Sequence, residues 1–386
     1  METQKLYYQD SFQKSCSARV LSCEKAEEVY HVILDQTVFY PEGGGQAGDT
    51  GILGSVRVLD TREKDGQLIH ICEGPLEIGS TVEGTIDWDR RFYRMQQHSG
   101  EHIVSGILHR IYGCHNTGFH MGADVTTIDF DAVIPMEMLR KVELEANEAV
   151  YQDIPFHIWI PEPEELPTVP YRTKRALDWP VRIVEIPGYD ICACCGTHVK
   201  TTGAIGLIKI FSAVPFRSGT RIEMACGKRA LEILNGAYEQ NRQVSQAFSA
   251  KMEETGEAAR RMNALLEAEK FRSVGLQMQI FDRIAEDYRG KGDVLCFREN
   301  LDGTGLRELC ERITKVCGGV AAVFSGADGE GYGYCLGTRE GDLRPFNKKM
   351  TQALNGRGGG KPLFQQGRVQ AQEAEIRRFF LENQKN

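Results

Sequence analysis

The chain has 386 residues, a formal net charge of −8, 41% hydrophobic and 26% charged residues. At about 150 residues per domain that length suggests two or three domains, and the composition excludes a disordered chain. No run approaches the ~20 apolar residues of a membrane helix, the N-terminus shows no secretory signal, and the acidity argues against a DNA-coating protein while leaving room for local basic patches.

Residues 1 to about 90 read as all-β. Short apolar runs at Ala18–Leu21, Val29–Leu34 and Ser55–Leu59 are separated by Gly, Asp and Pro signals. Inside this stretch, Thr37 to Gly51 reads TVFYPEGGGQAGDTG. Three successive glycines are poor strand or helix filler and mark a sharp turn or a close backbone approach. Residues 91–235 read as mixed α and β. Gln97–Tyr112 is a predicted helix with Ile103, Ile107 and Ile111 on one apolar face beside Val104 and Leu108, stopped by Gly113. A second helix follows Pro135, with Leu139, Val142, Ala146 and Ala149 as its buried stripe. Val181–Ile186 and Ile205–Phe211 are predicted strands.

From about 228 to 275 the chain is polar, charge-mixed and helical, as in a helical hairpin or short coiled coil between domains. Residues 276–386 read as a separate α/β unit. Its predicted strands are Val294–Phe297, Val320–Phe324 and Tyr332–Leu336. Its predicted helices are Leu306–Val316, Leu343–Leu354 and a terminal Gln370–Gln384.

Twelve cysteines are many, yet most stand singly on apolar segments, as buried thiols do in a reducing cytoplasm. The exception is Cys192, Cys194 and Cys195 in ICACCGTH. His98-Ser-Gly-Glu-His102 places two imidazoles four apart on one helical face, and Cys194 and His198 add a thiolate and a third imidazole from a turn. Gly196 is expected to let that turn fold tightly. Sulfur with imidazole suits Zn²⁺. The alternative is two core histidines and an unrelated thiol cluster. Glu101 does not follow the first His directly, as the metalloprotease HExxH pattern requires, and is expected to be solvated or near a cap. His109 is expected as a wall residue near the same face.

Basic residues gather in two segments. One carries Arg172, Lys174, Arg175 and Arg182; the other carries Arg357, Lys361, Arg368, Arg377 and Arg378. Phosphate contacts dominate RNA affinity, so these segments are where an RNA partner, if the chain has one, would be met; the alternative is solvated surface. In the second, GRGGGK offers bare backbone and cations to a phosphate, but Lys361 is followed by Pro362, so it is not a Walker loop.

Taken in order, FYPEGGGQAGDTG, HSGEH, CACCGTHVKTTGAIGLIKI and GTRIEMACG resemble the editing domain of alanyl-tRNA synthetase and the free-standing alanyl-tRNA editing proteins related to it. GFHMGADVTTIDFD, Gly118–Asp131, looks more like the free-standing proteins. The tail LNGRGGGKPLFQQGRV is similar to the C-terminal DHH-associated domain of the synthetase. The resemblance implies an α+β protein in four parts: a small Gly-rich β-barrel (1–90), a zinc-containing editing domain (91–235), a helical connector (236–275) and an α/β DHH-associated domain (276–386) for tRNA binding and homodimer formation. Nothing resembles a class II synthetase catalytic core, so aminoacylation is not expected.

The same resemblance places His98, His102, Cys194 and His198 on the four zinc-ligand positions. It sets Thr37, Gly43, Gly44, Gly45 and Gln46 at the border of the editing pocket. Cys195 is a departure, since related sequences usually carry Gly there. The implied reaction is hydrolysis of the ester of mischarged tRNA(Ala), chiefly Ser-tRNA(Ala) and also Gly-tRNA(Ala). A pocket that accepts Ser and spares the smaller Ala must demand the hydroxyl, which can discriminate by about 10⁴–10⁵-fold. Thr37 is the first candidate for that contact and Gln46 the second, with the Gly43–Gly45 N–H groups as oxyanion donors. Two other readings remain: a zinc-dependent deacylase or peptidase acting on small amino-acid derivatives, and an RNA-binding module with a structural zinc.

Overall fold

The computed structural model describes residues 3–122, 124–173, 177 and 179–383. The chain divides into two compact units, Met1–Gln243 and Val244–Asn386.

The first unit begins with β1 (Gln4–Lys5), β2 (Ser15–Ala26), β3 (Val29–Leu34), β4 (Gln36–Thr37), β5 (Gly51–Leu53), β6 (Val56–Lys64), β7 (Gln67–Cys72) and β8 (Thr81–Ile86). Six of these close into a barrel in the order β2-β3-β7-β6-β5-β8, while β1 and β4 pair in parallel beside it. The alternation at Cys16, Ala18 and Val20 turns one face of β2 inward. These side chains meet Val32, Leu34, Leu53, Val58 and Ile86 in the barrel core.

Next comes α1 (Trp88–Tyr112), which ends at Gly113 with φ 66° and its N–H on the His109 carbonyl. The helix starts well before the expected Gln97. The reason is Arg91, a fully buried guanidinium paired with Asp49 and donating to the Val38 carbonyl. A charge at a core position hides the helical period from a count of apolar residues. At the other end Ile111, expected on the apolar face, is 46% exposed, and the buried stripe stops at Leu108.

The rest of the unit comprises β9 (Asn116–Met121), β10 (Thr126–Phe130), α2 (Met136–Tyr151), β11 (His157–Trp159), β12 (Ile183–Ile186), β13 (Asp190–Ala193), β14 (Ile208–Phe216) and β15 (Gly219–Cys226). An antiparallel sheet runs β14-β15-β10-β9, and a smaller one runs β11-β12-β13. Ile103, Val104 and Ile107 of α1 pack with Leu139, Val142 and Ala146 of α2 and with Ile128, Ile210 and Ile222 of the larger sheet. A Cβ on Gly106 would lie 2.3 Å from the Tyr189 carbonyl oxygen. That missing side chain lets α1 press against the start of β13, the strand that leads to Cys194. The helix α3 (Gly227–Phe248) spans the division between units.

The second unit contains α4 (Thr255–Glu286), β16 (Gly292–Phe297), α5 (Gly303–Cys317), β17 (Gly318–Ala327), β18 (Gly331–Gly337), α6 (Arg344–Ala353), β19 (Gly356–Lys361), β20 (Phe364–Val369) and α7 (Glu373–Asn383). Its sheet runs β16-β17-β18-β20-β19. Alternate residues of β17 face two cores. Ala321 and Val323 meet Leu309 and Ile313 of α5, while Ala322 and Phe324 meet Met350 of α6 and Ile376 of α7. The glycine-rich stretch expected to cradle phosphate is the edge strand β19, paired along its length with β20. The twelve cysteines are all free. Among the described residues, no helix is long and apolar enough to cross a membrane. The architecture is mixed α+β with a six-stranded barrel.

Candidate metal centre

Two consecutive turns of α1 supply His98 and His102, and the loop after β13 supplies Cys194 and His198. All four are brought together: one ligand atom from each lies within 4.8 Å of the others. Cys194 Sγ stands 3.4 Å from both His98 Nε2 and His198 Nε2. The three rings are 4.6 to 5.2 Å apart between centroids.

Each imidazole is held through Nδ1. His98 faces Gln46 Oε1 at 3.3 Å, His102 faces Asp190 Oδ2 at 2.9 Å, and His198 faces Ser99 Oγ at 3.3 Å. That leaves the Nε2 atoms for the centre, the arrangement by which a metal-binding imidazole has its tautomer fixed from behind. Asp190 is itself gripped by Arg172, whose Nε and Nη2 donate at 2.6 and 2.9 Å. Phe119 stacks on His98 and Phe156 on His198, walling the donors with apolar rings.

The electrostatics follow from this packing. Burial opposes ionisation of Cys194, but the facing imidazoles of His98, His198 and His102 override it and hold the thiol well below its usual range. Burial also opposes charge on His102, yet Asp190 and Cys194 together raise it well above the ordinary imidazole value. His198, dominated by burial, is drawn down to about 3. A thiol poised as thiolate among three imidazoles is a donor set that fits a divalent cation. Cys195 stands outside the cluster; its residue is exposed, and partial desolvation of the sulfur together with the neighbouring Cys194 pushes its thiol up rather than down.

Gly196 earns its place through contact. A Cβ there would fall 2.1 Å from His98 Cε1 and 2.3 Å from His98 Nδ1. The expected need for a tight backbone turn is replaced by the need for an open seat for the His98 ring. The loop is tied down from outside by Arg182, which donates to the carbonyls of Cys194 and Gly196 at 2.7 and 3.0 Å. Tyr8 Oη donates to the Cys195 carbonyl at 2.9 Å, and Ser11 Oγ to the His198 carbonyl at 2.8 Å.

The three glycines form a two-residue hairpin turn. Gly43 and Gln46 exchange backbone hydrogen bonds at 2.9 and 3.0 Å, and Gly44 and Gly45 between them have φ of 59° and 83°. Positive φ at both central positions is a type I′ turn, which asks for Gly. Gly43 therefore has its N–H engaged, while Gly44 and Gly45 line the cavity. Gln46 is buried and couples this turn to the centre: its Nε2 donates to Thr197 Oγ1 at 2.8 Å while its Oε1 faces His98. Thr37 lies elsewhere. It is fully buried, pairs with His70 Nε2 at 2.8 Å, and is not among the residues lining the cavity.

The centre opens on a cavity of about 1050 Å³. His98, His102 and Cys194 line one part of it, and His109, His115 and Tyr189 line another. Glu101 also lines it. The carboxylate expected in solvent is only 5% exposed and accepts from Ser105 Oγ at 2.6 Å. Arg172 and Arg182, expected among the RNA contacts, are occupied by Asp190 and by the Cys194 loop. Lys174 and Arg175 lie outside the described residues. Arg357, Lys361 and Arg368 are exposed on the β19–β20 hairpin, with Arg357 opposite Arg368 in register. Sequence reasoning missed Asp190, Ser99 and Asn116. Only the nearness of Asp190 to the cysteine cluster in the chain could have drawn notice to it.

Residues 3–90 match the family described as tRNA synthetases class II (A), and residues 181–223 match the threonyl and alanyl tRNA synthetase second additional domain. The alanyl-tRNA editing protein AlaX-L of Pyrococcus horikoshii is 34% identical over 242 residues, 60% of each chain. The alanine–tRNA ligase of Pyrococcus abyssi is 33% identical over 95% of this chain and 42% of its own. An alanyl-tRNA editing protein of Xenopus laevis is 29% identical over 90% of this chain and 87% of its own. The chain thus spans less than two thirds of the first two and most of the third. The C-Ala domain of Aquifex aeolicus alanyl-tRNA synthetase aligns with 23% of this chain and 87% of its own at 18% identity, with a TM-score of 0.21, too slight to bear on the fold.

Proposed function

Because the chain is a relative of the alanyl-tRNA editing proteins and of the matching part of alanyl-tRNA synthetase, we propose that it is a trans-editing hydrolase of mischarged tRNA(Ala). It cleaves the ester that joins serine, and also glycine, to that tRNA, and it does not aminoacylate. The observation that carries this reading is the convergence of three imidazoles and one thiol beside a cavity that His98, His102, Cys194 and the Gly44–Gly45 turn all line. The layout proposed for the whole is the barrel (1–90), editing domain (91–235), helical connector (236–275) and DHH-associated domain (276–386), in a cytoplasmic protein that can form a homodimer.

The ion assigned to the cluster is Zn²⁺, held by His98, His102, Cys194 and His198. Bound there, it supplies Lewis-acid polarisation and anchorage for the aminoacyl group. The chain's own residues do the rest. Asp190 and Arg172 hold His102, Gln46 holds His98 and Thr197, and Arg182 holds the Cys194 loop, so the wall is fixed before substrate arrives. The ester is already activated, so positioning together with the Gly44 and Gly45 backbone amides suits the task without a strong base. Neither Thr37 nor Gln46 lines the cavity, both being fully buried, so the seryl hydroxyl is assigned to the polar groups that do line it. The exposed Arg357, Lys361 and Arg368 are assigned to the phosphates of the tRNA body.

The test is to incubate the protein with Ser-tRNA(Ala), Ala-tRNA(Ala) and a free seryl ester, with and without a chelator, and to follow deacylation. The expected result is rapid loss of Ser-tRNA(Ala), sparing of the other two, and loss of activity on chelation. Equal cleavage of the free ester would make the protein a small-ester hydrolase. No turnover of any substrate would make the cluster a structural zinc in a binding module.

A further inference from the structure

One part of the cavity wall carries polar atoms that the editing chemistry described above does not use. Glu101 Oε1 accepts from Ser105 Oγ at 2.6 Å and from Asn116 Nδ2 at 2.5 Å. Asn116 Nδ2 also donates to Ser105 Oγ at 3.2 Å. These bonds settle which way the Asn116 amide points. Turned the other way, its oxygen would face a carboxylate and its two donors would be wasted. The orientation leaves Asn116 Oδ1 with no partner among the described residues, although Asn116 is only 8% exposed and lines the cavity. The hydrogen bonds of Glu101 fall on Oε1, leaving Oε2 accepting none among the described residues without being a closed-off atom like Asn116 Oδ1, and Glu101 lines the same cavity.

Two neighbouring acceptors, one of them a carboxylate oxygen, call for a ligand that is all donor and preferably cationic. A buried acceptor left unpaired, as Asn116 Oδ1 is, is unusual and is explained where a bound group completes it. An ammonium offers three donors and no acceptor, so it can serve both oxygens at once. A hydroxyl has one donor and cannot. In an aminoacyl ester the amino group is one carbon from the reacting carbonyl. Glu101 adjoins His102 in the helix and lines the same cavity as the centre.

We propose that Glu101 and Asn116 form a subsite for the free α-ammonium group of the aminoacyl ester, and that through it the protein refuses N-acylated aminoacyl-tRNA. This rests on the editing reading above. N-acylation removes the charge, two of the donors and the space for a bare amine. Peptidyl and formylated tRNAs would therefore be spared by the same wall that admits a mischarged one.

The experiment compares Ser-tRNA(Ala) with chemically prepared N-acetyl-Ser-tRNA(Ala) as substrates of the metal-loaded full chain. The wild type is expected to favour the free amine by on the order of 100-fold in kcat/KM, the scale of two charge-assisted hydrogen bonds. Glu101→Gln and Asn116→Ala are expected to lose about tenfold or more on Ser-tRNA(Ala), mainly through KM, and to shrink the preference toward unity. Bound metal per chain and melting temperature are measured beside the kinetics. A merely structural role would slow both substrates together and leave the ratio intact, which would overturn the subsite. Should Asn116→Ala fail to fold, the near-isosteric Glu101→Gln carries the test alone. Equal cleavage of both substrates by the wild type would refute the subsite and leave the editing reading standing. Failure to cleave either substrate would remove both.

Discussion

Replacing Gly196 by Ala tests the seat of His98 most directly. The new methyl would lie 2.1 Å from His98 Cε1 and 2.3 Å from Nδ1. Ordinary carbon contacts begin at roughly 3.5 Å, so the ring would have to retreat by about 1 Å or more. It cannot do so freely, because Phe119 stacks on it and Gln46 faces its Nδ1. Gly196 is not among the positive-φ glycines, so the backbone itself accepts Ala and the collision is the whole perturbation. Metal sites tolerate about 0.2 Å in ligand distance, so His98 would leave the donor set. The expected loss in metal affinity is at least about 100-fold, beyond the 10–100-fold typical of changes behind the ligands. Overpacking should cost about 1–3 kcal/mol of stability. The assay is titration against a chromophoric chelator, with denaturant unfolding in parallel. Unchanged affinity in a folded Gly196→Ala protein would refute the seating of His98.

Arg172→Ala should weaken metal binding by about 10–100-fold through release of Asp190 and His102, with tRNA affinity unchanged in a filter-binding assay. Loss of tRNA affinity with normal metal content would return Arg172 to the role of an RNA contact. Arg91→Met should destabilise the first unit by about 3–5 kcal/mol, because it leaves the buried Asp49 carboxylate unpaired; a change under 1 kcal/mol on the order of surface effects would contradict that pairing. Burial draws the His70 imidazole down to about 4. Its folded value lies below the unfolded value of ~6.5, so as pH falls the unfolded chain takes up the proton first. Stability is intact above pH 6.5 and declines through the window down to 4, by about 3 kcal/mol in all. Denaturant midpoints of wild type and His70→Gln between pH 7.5 and 4.5 should diverge; parallel curves would show that His70 does not titrate there.

Much of the local structure was legible along the chain. Apolar alternation marked the barrel strands, and the four-residue repeat from Ile103 marked the core of α1, because periodicity records which face is buried. The HSGEH spacing and the Cys194 to His198 segment announced the donors, since residue type and helical geometry are local properties. The first turns of α1 were hidden because Arg91 is a charge in a core position, neutralised by Asp49 from a distant loop. Glu101 was misjudged for the same reason: its neighbours Ser105 and Asn116 decide its burial, and Asn116 arrives from the strand β9. Thr37 stood beside the glycine turn in sequence yet faces His70 inside the barrel.

The sequence by itself therefore marked most of the elements, the four candidate donors and the glycine turn, all features written in neighbouring residues. Only the tertiary structure decided that Gly196 exists to seat His98, that Arg172 and Arg182 hold the site together, and that Asn116 leaves an acceptor open beside the centre. Those assignments depend on partners brought in from other elements, and a partner's identity is not encoded in either residue alone.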